Sequence, residues 1–119
     1  MQFLILIYAE EKVYDDMPAD QLAEVMAAYR QLEDDMQQAG VLLSGAELAP
    51  VRTARTVRIR RNQPHFTDGP FAETKEALGG YFLIDCASMD EALKWAARCP
   101  SAHDGSIEVR PLMAPPPEA

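Results

Sequence analysis

Basic residues are in short supply. The 119-residue chain carries 11 Lys and Arg against 19 Asp and Glu, a net charge of −8. An acidic surface repels phosphate, so nonspecific binding to nucleic acid or to an anionic membrane is disfavoured. Cysteine is nearly absent: Cys86 and Cys99 stand apart and form no CxxC pair, and His65 and His103 are not at ligand spacing. That argues against a zinc site, and no metal or cofactor is expected. The thiols read as reduced and structural. No apolar run approaches the ~20 residues of a membrane span. Residues 1–7 are apolar but too short for the core of a secretion signal, and they lack a basic start and a cleavage site. The expectation is a cytoplasmic protein with no membrane partner. No internal repeat, nucleophile–base signature or phosphate-binding glycine loop is present.

What is there suits one ordinary globular domain. Hydrophobic residues make up 48% of the chain, and the domain reads as 1–112 with a Pro-rich tail over 113–119. Residues 2–9 are apolar on both parities of a period-two strand, which predicts a central strand covered on both faces. Residues 10–16 hold Glu10, Glu11, Asp15 and Asp16 and read as a solvated loop. Pro18 suits a first helical turn. Leu22, Val25, Met26, Tyr29, Leu32 and Met36 recur at three- and four-residue steps, the core stripe of a helix of roughly 20 residues. Gly40 stands where a left-handed C-terminal residue belongs.

Val41-Leu42-Leu43 opens a second strand that runs into Ser44-Gly45, read as a turn or as the edge of a pocket. Residues 51–61 alternate: Val51, Thr53, Val57 and Ile59 lie on one side, Arg52, Arg58 and Arg60 on the other, with Arg55 as the exception. No aromatics interleave with these arginines, so they read as a charged outer face that blocks edge-to-edge pairing rather than as a nucleic-acid site. Asn62-Gln63-Pro64 reads as a turn and His65-Phe66-Thr67 as a short return strand. Residues 81–86, behind Gly79-Gly80, are again apolar on both parities. Ser88 with Glu91 is a capping box that opens a helix closed by Pro100. Residues 106–110 make a last strand, and Pro115-Pro116-Pro117 a frayed tail. Two helices cover one face of a sheet, yet two of the strands ask for cover on both. The second face is therefore expected to meet the same face of another copy, a homodimer through the sheet.

The densest stretch is Asp68-Gly69-Pro70-Phe71-Ala72-Glu73-Thr74-Lys75-Glu76, which packs a turn, an aromatic and several charges between strand-like regions. Gly69 before Pro70 favours extended geometry, and Phe71 reads as the loop's anchor in the core. Asp68 is either a turn acceptor or a carboxylate at a pocket rim that takes a proton. Glu73 and Lys75 form a surface pair, or Lys75 turns inward to bind an anionic or carbonyl-bearing ligand while Glu76 or Asp68 moves protons. Asp68, Lys75 and Glu76 are thus the candidate catalytic residues, with Tyr8, Ser44, Phe71 and Arg110 as candidate ligand-binding residues. Each of the four has a structural alternative: Tyr8 in the core, Ser44 in a turn, Phe71 as an anchor, Arg110 paired with Glu108 along one strand face.

Tyr8, Ala39-Gly40-Val41-Leu42, residues 67–76, Leu78-Gly79-Gly80-Tyr81-Phe82-Leu83-Ile84-Asp85 and Glu108-Val109-Arg110-Pro111 together resemble the DGPF-domain family, a branch of the YCII-related proteins. The likeness runs from about residue 2 to 112. It implies an α+β, ferredoxin-like domain, an antiparallel sheet with two helices on one face, pairing into a dimeric α+β barrel. It implies no settled activity. Members are often encoded beside sigma factors of the extracytoplasmic-function class, which implies a stress or regulatory setting. The wider group resembles small-molecule enzymes or binders with a His–Asp pair, the His near the start of the first helix. Asp20 and Gln21 occupy that place here, which leaves His-dependent chemistry without its histidine. Two functions follow: a small-molecule enzyme or binder with its pocket at the 68–76 loop, or a non-catalytic regulatory module whose acidic surface, including Glu33-Asp34-Asp35, meets a basic partner. A concave pocket lined by Asp68, Lys75 or Glu76 favours the first. Those side chains lying in solvent favour the second.

Overall fold

The computed structural model describes residues 1–114, so Pro115-Pro116-Pro117 lies outside the described residues. The elements run β1 (Gln2–Ala9), α1 (Glu11–Asp15), α2 (Ala19–Gln38), β2 (Leu42–Glu47), β3 (Arg55–Arg60), β4 (Gln63–Asp68), β5 (Ala77–Asp85), α3 (Met89–Ala96) and β6 (Ser106–Pro111). Four strands form one antiparallel sheet in the order β2-β5-β1-β6, the ferredoxin-like arrangement, with α2 and α3 on one face. The β3–β4 hairpin stands outside this sheet as a two-stranded ribbon of its own.

Side-chain alternation sorts the two central strands into two faces. Phe3 and Ile5 of β1, with Phe82 and Ile84 of β5, are buried beneath Leu32 and Met36 of α2 and Ala92 and Ala96 of α3. Leu4 lies opposite Leu83, and Leu6 opposite Tyr81. These four point to the other face, where they remain partly exposed. The apolar character on both parities is real, and the described residues bury only one parity fully.

The helix ends follow their local chemistry. Gly40, at φ 73°, lets the Val41 amide reach the Met36 carbonyl (3.0 Å) and the Gly40 amide reach Gln37 (3.0 Å), which closes α2 with a Schellman motif. Ser88 Oγ accepts from the Glu91 amide (3.2 Å), and the Glu91 carboxylate accepts from the Ala87 amide (2.9 Å). Pro18 is the extended N-cap of α2, one residue outside the expected helical turn, and its carbonyl takes the first bond, from Leu22.

Four local expectations are corrected. Residues 10–16 are not a simple loop: Glu11–Asp15 is helical, held from outside when the Glu11 carboxylate accepts the Val51 amide (3.0 Å) and Tyr14 bonds Ser101. Ser44-Gly45 is strand rather than turn, beside a bulge between Leu42 and Ser44. Residues 51–53 form a 3-10 turn, so β3 begins at Arg55, and the hairpin reverses at Arg61-Asn62, both at positive φ as a two-residue type I′ turn requires. Phe71 is no core anchor, being 78% exposed. The reason lies at Gly69, whose φ of 91° is a glycine conformation and whose amide and carbonyl bond Ala54 (2.7 Å) and Thr56 (2.9 Å). These bonds tie the turn to the base of the hairpin and leave Phe71 outside the core.

Candidate functional site

The apolar stripe of α2 divides in two. Leu32 and Met36 are core, but Leu22, Val25 and Met26 line a cleft of about 760 Å³ between α1, α2 and the β1–β5–β2 part of the sheet. The C-terminal half of the stripe packs as expected, while the N-terminal half is groove.

Three hydroxyls converge on one wall of this cleft. Ser101, buried in the 3-10 turn Pro100–His103, accepts from Tyr29 Oη at 2.7 Å and lies 2.6 Å from Tyr14 Oη. The Ser101 amide donates to Tyr29 Oη (3.3 Å), and Tyr14 Oη donates to Asp104 Oδ1 (3.4 Å). Burial pushes Tyr29 up to about 12, against the opposing pull of its Ser101 hydrogen bond. Burial is also the main cause of the upward shift at Tyr14. Both phenols therefore stay protonated near neutrality and serve as hydrogen-bond partners rather than as bases. Elsewhere, among the described residues, the lining carries Glu11, Asp15, Glu33 and Glu47 against a single cation, Arg30. Among the described residues no three His, Cys, Asp or Glu side chains converge as a metal site would require.

None of the seven residues singled out from sequence lines this cleft. The Asp68 side chain is 92% exposed and pairs with Arg55 at 3.2 Å. Lys75 is 84% exposed and pairs with Glu10 at 3.3 Å, not with Glu73. Glu76 accepts from Ser106 Oγ at 2.6 Å, and Ser106 lies opposite Tyr8 across the β1–β6 ladder. The loop thus ends beside the cleft, whose floor begins at Ala77 and Leu78. Tyr8, Ser44 and Arg110 belong to the open face of the sheet: Ser44 is opposite Leu83, and Arg110 is opposite Leu4 and bonds Glu108 (2.9 Å). The structure therefore brings Tyr8 near Glu76, leaves Asp68 and Phe71 apart in solvent, and puts the cavity on the opposite side of the sheet from Ser44 and Arg110.

Tyr14, Tyr29 and Ser101 are not legible as a group in the sequence. Tyr29 was legible only as one member of the apolar stripe, and Tyr14 stood among acids that read as loop. Ser101 gives no local signal, since its burial depends on α1 and α2 arriving from elsewhere in the chain. The cysteines are free and buried, and burial raises both thiols, Cys99 to about 12, which keeps them protonated and unreactive.

Residues 1–115 match the YCII-related domain. An uncharacterised protein of Rhizobium meliloti (strain 1021) is 40% identical over 114 residues, which span 94% of this chain and 92% of that protein. With the ferredoxin-like fold already in place, the match over nearly the whole length shows that the chain belongs to the YCII-related domain family.

Proposed function

We propose that the protein is a small-molecule binder that takes its ligand in the cleft between the sheet and α1–α2. The observation that carries this is the buried Ser101 held between two tyrosine hydroxyls at one end of an otherwise largely apolar hollow. Ligand sites combine apolar walls with a few placed polar groups, and this wall offers three. Four carboxylates against one guanidinium around the lining favour a neutral or cationic ligand over an anion. The binder works as a homodimer, the open faces of two sheets packed together so that Leu4, Leu6, Tyr81 and Leu83 of each copy leave water. Proton transfer by Asp68, Lys75 and Glu76 is the catalytic form of this reading, and it would need the second copy to enclose a loop that lies in solvent in the single chain.

A thermal-melt screen of the purified protein against small neutral and amine-bearing aromatics tests the site. A hit should raise the melting temperature of the parent and of Lys75→Ala, and fail to raise that of Tyr29→Phe or Ser101→Ala. Stabilisation lost in Lys75→Ala and kept in the other two would move the site to the loop. The exposure of Asp68 and Lys75 supports a second reading, in which the loop is a contact element of a regulatory module. Hits absent from the whole panel, together with a protein partner captured only when residues 68–76 are intact, would favour it.

A further inference from the structure

The β3–β4 hairpin is amphipathic, and its apolar side is bare. Val57 lies opposite Phe66 and Ile59 opposite Pro64, so the four share one face. Val57 is 57%, Ile59 64% and Phe66 67% exposed. Arg58 opposite His65 and Arg60 opposite Gln63 make the polar face. A lone two-stranded hairpin is marginal in water, and one that also wets a β-branched and aromatic face is worse placed still. Its strands pair with each other, and among the described residues neither makes more than slight contact with another element. The radius of gyration, 16.8 Å, exceeds the about 13–14 Å of a compact chain of this length, as a projecting arm would make it.

Charge indicates what covers the arm. Residues 55–68 carry Arg55, Arg58, Arg60 and Arg61 against one acid, Asp68, which pairs with Arg55. Taking this net +3 from the net −8 leaves −11 on the rest of the chain. The strongest basic patch of the molecule therefore complements the remainder of the same molecule, yet projects away from it. We propose that the hairpin is an arm that docks on a second copy of this chain, its Val57–Phe66 face packed against that copy, while the arginines of its opposite face and turn add longer-range attraction to that copy's acidic body. The charge match is what singles out a second copy: the arm alone would also suit nucleic acid, but the −11 body that comes with it repels phosphate. The arm is an interface additional to sheet-face pairing, and the two can fail separately.

The test uses the full-length protein. Amide hydrogen exchange should show residues 55–68 protected in the parent at micromolar concentration, with the protection falling on dilution. The double variant Val57→Asp/Phe66→Asp should keep the far-UV spectrum of the body, lose that protection, and weaken self-association in sedimentation equilibrium about a hundredfold. Arm amides that exchange at unstructured rates in the parent overturn the proposal. So does protection that appears only when duplex DNA is added. A double variant that dimerises as tightly as the parent removes the arm and leaves sheet-face pairing standing, whereas a parent that is monomeric throughout removes both.

Discussion

The two faces of the sheet are built from one strand pair and have different fates. Phe3 and Ile5 are sealed under α2 and α3; Leu4 and Leu6, their immediate neighbours in β1, look the other way and stay partly exposed. Composition does not separate them, since both sets are apolar. Cover does: among the described residues two packed helices cover one face and no element covers the other. An apolar strand parity thus marks a demand for burial, and only the fold says whether the chain or a partner meets it.

The largest predicted effect sharpens this contrast. Phe3→Ala should cost about 3–5 kcal/mol in urea unfolding, because it empties a fully buried aromatic site. Leu6→Asp should leave the unfolding free energy of a dilute sample far less changed, yet shift sedimentation strongly toward the monomer, since it puts a charge where two sheets would meet. If Leu6→Asp destabilises a monomeric sample as much as Phe3→Ala does, the open face is not open and the comparison fails.

What was legible in the sequence followed from periodicity. The 3.6-residue stripe gave α2, the two-parity runs gave β1 and β5, and Ser88 with Glu91 gave the start of α3, because each signal is local and repeats or caps within a few residues. The five residues of α1 are too few to show a period and depend on Val51 and Ser101 from distant segments. The same dependence hid the hydroxyl cluster. The 68–76 loop misled for the opposite reason: its composition is unusual, but composition does not say which way a turn is tied, and Gly69 is tied to the hairpin. The split of the α2 stripe into core and groove was invisible because a stripe reports apolarity, not what lies across from it.

An intermediate effect probes the cleft side alone. Ser101→Ala takes one hydrogen-bond partner from each of two tyrosine hydroxyls, leaving Tyr14 its bond to Asp104 and Tyr29 the amide of residue 101, and should cost about 0.5–1.5 kcal/mol per bond lost. Alkaline titration adds an independent reading. Tyr29 and Cys99 are both raised by burial to about 12, from 10.0 and 9.0 in their ordinary state, so the unfolded chain gives up these protons first. Their contribution is whole below about pH 9 and is lost as the pH climbs from there toward 12. Melting temperature against pH should fall over that window, and Tyr29→Phe should flatten the part of the fall above pH 10. A slope unchanged in Tyr29→Phe would mean that the phenol is not buried as the cleft geometry has it.

The smallest effect is expected at the loop. Lys75 is mostly in water and its Glu10 pair is a single contact of 3.3 Å, so Lys75→Ala should change the stability of the free protein by under about 1 kcal/mol. The informative quantity is its dependence on assembly. A second copy that encloses the 68–76 loop would desolvate this ion pair, and removing one partner of a desolvated pair costs several times more than removing one in solvent. Measured at concentrations that hold the protein as a dimer, a loss that stays under about 1 kcal/mol keeps Lys75 on the surface and out of any proton-transfer site. A loss that grows with dimer fraction would place the loop inside the assembly, on the open side of the sheet, and give Asp68, Lys75 and Glu76 the enclosure that chemistry requires.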